Sequence, residues 1–231
     1  MIQDIIGHTV FIRSLILVLA LLLLSSFFAK KFLLEIFPFS LFRFVVVPGV
    51  IIHELSHAIG CFLTGAQVDS ISVFNKEGGE VKHGEPYIKF LGPTIISMAP
   101  IVGSLLMFYV WSSLMNPFHV VGNNTAFIDS ADTFISRLGS VDWLSWRIWL
   151  YLYGCMNLVI AISPSAQDFT NCKWELLIIF VTIGLLEYFQ VFVGKNYSSV
   201  VYRYFIPYII IACFFLLLVT PFYLFKKKSS A

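Results

Sequence analysis

Three residues in the first third of the chain, His53, Glu54 and His57, form an H-E-x-x-H pattern, His53-Glu54-Leu55-Ser56-His57. On a helix, positions i and i+4 share a face, so both imidazoles can grip one metal ion. The carboxylate between them can then poise a metal-bound water for attack. The flanks are apolar, with Ile51 and Ile52 before the motif and Ala58 and Ile59 after it. Ionisable groups in such a helix are costly and mark function. The chemistry this predicts is hydrolysis by a metal-activated water. The plainer alternative is a buried His-Glu-His hydrogen-bond network that packs helices together.

Two imidazoles do not complete a catalytic site, which needs three protein ligands and one open position. Zinc is the expected ion, because imidazole and carboxylate with an open position suit it. Asp168 is the expected third ligand. It follows the fourth apolar run in Ser163-Pro164-Ser165-Ala166-Gln167-Asp168, where the proline breaks the helix and can turn a carboxylate back toward the interior. Glu187 is the rival, in Leu185-Leu186-Glu187-Tyr188-Phe189. A lone carboxylate in an apolar span must be protonated or paired, and packing or hydrogen bonding is its favoured role. His83 and Glu85 lie in a polar connector and are weaker candidates, while His8 and His119 have no motif context.

These residues need elements to hold them, and composition says of what kind. The 231 residues are 58% hydrophobic and only 12% charged, where a soluble domain carries about a quarter charged residues. The expected class is an all-α integral membrane protein. A crossing needs about 20 apolar residues, which places about six spans near 11–29, 41–63, 90–114, 144–163, 174–193 and 205–225. The second carries the metal motif. The first has Arg13 as its only strong leading cation, so it reads as a retained span and not as a cleaved signal. The whole chain, 1–231, is expected to be one membrane domain, with a catalytic core over about 41–170 and helices 5 and 6 over about 174–225.

The connector from Gly65 to Pro86 is the least membrane-like stretch. Val68, Ile71, Val73 and Val81 favour strands, and Gly78-Gly79 reads as the turn of a small β-hairpin between helices 2 and 3. Such a hairpin is either a solvated connector or a strand edge able to pair with an extended substrate. Six spans put both termini on one side. Lys226-Lys227-Lys228 argues for a cytoplasmic C-terminus, and the sequons at Asn123 and Asn196 fall on the opposite side. The net charge of +2 comes with no basic stripe, so nucleic acid is not an expected partner. Cys61, Cys155, Cys172 and Cys213 are scattered and read as small apolar packing residues.

Taken in order, the pattern resembles the site-2 protease family of intramembrane zinc metalloproteases. The matching features are a second span bearing H-E-x-x-H, a β-rich loop with Gly-Gly, Gly92-Pro93 opening the third span, then Asn157 and Pro164-x-x-x-Asp168 closing the fourth. The resemblance covers about 45–170. It implies that His53, His57 and Asp168 bind Zn²⁺, that Glu54 is the general base, and that the substrate is a transmembrane protein segment. Phe169 stands where the family usually has Gly, and no PDZ or CBS module is present, as in a minimal or divergent member. Three other readings compete. A ZIP-like metal transporter would need a second metal motif in the preceding span and a Pro inside the H-E element, where this chain has Leu55-Ser56. A non-catalytic scaffold or chaperone-like subunit would keep the fold without needing Glu54. A zinc protease of the CAAX-processing type would promote Glu187.

Overall fold

A computed structural model of the chain describes residues 20–33, 35, 38–75, 78–89, 91–115, 135–165, 167–168 and 170–171, and helical positions at 174, 177–178, 181–182, 210–213, 216–217, 220–221, 223–224 and 226. The described part is mostly helical with one small sheet. We number its elements α1 (20–33), α2 (Phe39–Thr64), β1 (Val68–Asn75), β2 (Gly78–His83), α3 (Gly92–Met115) and α4 (Trp146–Ala161). Phe44–Thr64 and Gly92–Met115, of 21 and 24 residues, are long and apolar enough to cross a bilayer. They correspond to the expected second and third spans. The expected fourth span is described in full, and its helix, α4, has 16 residues, short of the roughly 20 that a crossing needs; much of the first, fifth and sixth spans lies outside the described residues.

Apolar side chains point outward from both long helices. Phe44 is 79% exposed, Phe62 82% and Leu114 74%. Water would make such a surface a liability, whereas lipid is its natural solvent. Inward, the helices meet through small residues, as membrane helices do when close approach must replace a hydrophobic driving force. A Cβ on Gly60 would sit 3.0 Å from Ile96 Cα and Ala99 Cβ, so its absence lets α2 and α3 touch just past the metal motif. The main core lies between α1, α3 and α4, with Leu22, Ala29, Phe108, Tyr151, Cys155 and Leu158 at its centre. Cys61 and Cys155 are buried and unpaired, consistent with a packing role; Cys172 lies outside the described residues.

Gly65 ends α2 in the left-handed region at φ 74°, a conformation that costs a side chain but not glycine. Ala66 N–H donates to Cys61 O at 2.8 Å and Gly65 N–H to Phe62 O at 3.3 Å, the paired bonds of a Schellman cap. The chain then reverses into the hairpin, β1 pairing antiparallel with β2 through Ile71↔Val81 and Ser72↔Glu80. The expected turn is corrected here. Asn75 pairs with Gly78, so Gly78 and Gly79 begin the second strand and do not form the turn. Gly79 lacks a side chain for a different reason, set by Glu54. Tyr87 N–H closes the connector by donating to Thr64 O at 3.1 Å.

Candidate metal centre

The helical period puts His53 and His57 on one face of α2, their ring centroids 4.8 Å apart and nearly perpendicular. Each ring is held by a main-chain carbonyl from a different neighbour. His53 Nδ1–H donates to Ala161 O at 2.7 Å, at the end of α4, and His57 Nδ1–H donates to Ile96 O at 2.8 Å, on α3. A carbonyl can only accept, so each ring carries a proton on Nδ1 and presents its Nε2 to the cavity. This is how a metal-ligating histidine is usually oriented from behind.

Both Nε2 atoms face Asp168. His57 Nε2 lies 3.4 Å from Asp168 Oδ1, and His53 Nε2 3.8 Å from Oδ2. The three ligand atoms fall within 4.8 Å of one another. Two atoms that are each about 2 Å from a tetrahedral ion stand about 3.4 Å apart, so the spacing fits a divalent cation. With neutral rings, lone pairs would confront carboxylate oxygens with nothing between them. A proton on His57 Nε2 would pair that ring with Asp168 but leave His53 Nε2 facing the carboxylate without one, and protonating both rings places two like charges in adjacent buried sites. A cation resolves both problems, and the donor set of two imidazoles and a carboxylate suits zinc.

Asp168 is delivered by local structure as much as by the helix break at Pro164. α4 ends at Ala161, two residues before its expected limit. Ser165 then caps the next helical segment: its Oγ accepts from Asp168 N–H at 3.0 Å, while Asp168 Oδ2 accepts from Ser165 N–H at 2.8 Å. This reciprocal pair is a capping box with Asp in the Glu position. It fixes the carboxylate before any ligand arrives. The Ser165-x-x-Asp168 spacing is a helix-start signal legible in the sequence, beside the proline.

Glu54 is 4% exposed and lies under the hairpin. A Cβ on Gly79 would fall on Glu54 Oε1 and Cγ, and 2.5 Å from Cδ. Only glycine lets β2 pass this close. The two histidines, Glu54 and Asp168 share a cavity of about 960 Å³ walled by Lys30 of α1, Gly79 and Glu80 of β2, and Ser163 to Ser165. His83 also borders it, but is not among the clustered ligand atoms. Glu187, His8 and His119 lie outside the described residues. Asn157, matched to the family motif, is 1% exposed and bonds the main chain of α2: its Oδ1 accepts from Gly49 N–H at 3.0 Å.

No curated protein and no solved structure matches the chain. The sequence model of one family does, over residues 14–169, a span that takes in both histidines, Glu54, the hairpin and Asp168. That span is well over half of the 231 residues, and with apolar helices of crossing length it places the protein in a membrane. The chain belongs to the Peptidase M50B-like family.

Proposed function

We propose that the protein is an intramembrane zinc metalloprotease that hydrolyses peptide bonds in membrane-embedded segments of other proteins. The observation that carries this reading is the convergence of two imidazole Nε2 atoms and one capped carboxylate beside a buried glutamate. In this reading His53, His57 and Asp168 hold Zn²⁺. The bound ion supplies Lewis acidity, lowering the pKa of a water toward about 7 and polarising the scissile carbonyl. Glu54 takes the proton from the attacking water and passes it to the leaving amide nitrogen.

A transmembrane substrate helix hides its carbonyls in its own hydrogen bonds, so it must unwind locally before attack. The edge of the β1–β2 hairpin offers backbone groups to such an extended segment. Lys30, Glu80, Gln167 and Asn171 give the cavity polar walls, which supports entry of water at a depth where lipid would exclude it. We place the C-terminus on the cytoplasmic side of a multi-pass chain, on the strength of Lys226-Lys227-Lys228.

The test uses the full chain in proteoliposomes with a reporter whose transmembrane segment carries helix-breaking residues. Cleavage is expected, stopping on removal of metal with a chelator and returning with Zn²⁺. Cleavage that persists in demonstrably metal-free protein overturns the mechanism. Zn²⁺ flux into protein-loaded vesicles without any cleavage would instead make the chain a transporter.

A further inference from the structure

Three hydrogen bonds join α2 to α4, and all span the same sequence separation. Tyr153 O–H donates to Val45 O at 2.9 Å, Gly49 N–H donates to Asn157 Oδ1 at 3.0 Å, and His53 Nδ1–H donates to Ala161 O at 2.7 Å. Each pair is 108 residues apart. Steps of four residues on both helices at a constant offset mean that α2 and α4 run parallel, in register, tied once per turn. The last tie is the one that orients the His53 ring.

The two ties before it fall where α2 is weakest. Pro48 lies inside the helix, and a proline there removes a ladder bond and crowds the carbonyl four residues back. Gly49 follows, and glycine is a poor helix residue. In a regular helix Gly49 N–H would donate to Val45 O. α4 gives each of these two groups a further partner: Asn157 for the N–H and Tyr153 for the carbonyl. Asn157 Nδ2–H donates to Tyr153 O at 3.1 Å, which holds the amide with its oxygen toward α2. A Cβ on Gly49 would lie 2.5 Å from Asn157 O, so the contact demands glycine. Asn157 is 1% exposed, bonds the main chain of α2 and is not among the residues that line the cavity.

We propose that Tyr153 and Asn157 are positioning residues that lock the Pro48–Gly49 weak point and thereby hold His53 in register with Asp168. A slip of one residue along the helix is about 1.5 Å. That is enough to carry His53 Nε2 out of reach of an ion shared with Asp168, since metal–ligand distances tolerate about 0.2 Å. The inference rests on the metal-site reading above and assigns to α4 a role in ligand geometry that neither residue's chemistry announces.

The test is Zn²⁺ affinity of the full chain in detergent, by competition with a chelator, together with the visible absorption of the Co²⁺-loaded protein. Four variants are compared: N157L, Y153F, H53A and W111F. Trp111→Phe is the control, because it removes a bond of α4 to its other neighbour, Trp111 Nε1–H to Tyr151 O at 3.2 Å. N157L is expected to weaken Zn²⁺ binding at least about 10-fold, within the range for groups that orient a ligand, and to shift the Co²⁺ bands. Y153F should move both in the same direction by less, and it carries the test alone if N157L does not fold. W111F should leave both unchanged. Wild-type affinity and Co²⁺ spectrum in N157L and Y153F, with metal lost in H53A, overturn the positioning role and leave the metal site standing. Equal loss in W111F also overturns it, as general loosening. A wild-type protein that binds no more Zn²⁺ than H53A removes the metal reading itself, and this proposal with it.

Discussion

Gly79→Ala tests the site where structure and chemistry meet most tightly. The new Cβ would be 2.5 Å from Glu54 Cδ and closer still to Oε1 and Cγ. Non-bonded heavy atoms settle at about 3.5–4.0 Å, so the carboxylate or the strand must yield by about 1 Å. Misplacing a reacting group by that distance costs about 10²-fold in rate, or about 2.7 kcal/mol of barrier. None of the three ligand residues is touched, so metal content should stay at the wild-type level. The assay is kcat for reporter cleavage in proteoliposomes, with zinc measured on the same preparation by mass spectrometry. Gly84→Ala serves as the matched control, because its Cβ would meet nothing nearer than Gln67 O at 3.9 Å. A G79A protein that turns over within about threefold of wild type would show that Glu54 is not held by this contact or does not handle the proton. Loss of zinc in G79A would also refute the reasoning, since the damage would then lie in the ligands.

Glu54→Gln should retain zinc and lose about 10²–10⁴-fold in kcat, the usual worth of a general acid–base group; retained turnover removes that role. Asp168→Asn should lower zinc affinity by at least about 10-fold, far more than Glu187→Gln, and the reverse ranking by metal analysis would move the third ligand to the fifth apolar run. Ser165→Ala removes the cap on Asp168 N–H and should cost about 1 kcal/mol, read as weaker zinc binding at an intact fold; unchanged affinity would mean that the main-chain bond from Ser165 N–H alone orients the carboxylate.

The motif itself was legible because it is local. A period of 3.6 residues puts His53 and His57 on one helical face wherever the helix lies, and the apolar flanks showed that solvation could not explain them. Composition gave the membrane setting, and two helices of crossing length agree with it. Asp168 was singled out through Pro164, and the structure brings it to both imidazoles. Its capping box is also local, since Ser165 and Asp168 stand at the right spacing. The Gly78-Gly79 pair reads as a turn yet begins β2, because glycine for a bend and glycine for a close approach look the same in a sequence.

Local pattern thus determined which groups are candidates for the site and in what solvent they must work. Tertiary structure decided which backbone carbonyls hold them. Every residue owns a carbonyl, so nothing in the letters at Ala161 or Ile96 marks them as partners of the histidines. Nor can periodicity within one helix set its register against another, which here depends on side chains of α4 meeting the main chain of α2. Those contacts join residues far apart in the chain, and they exist only once the helices have packed.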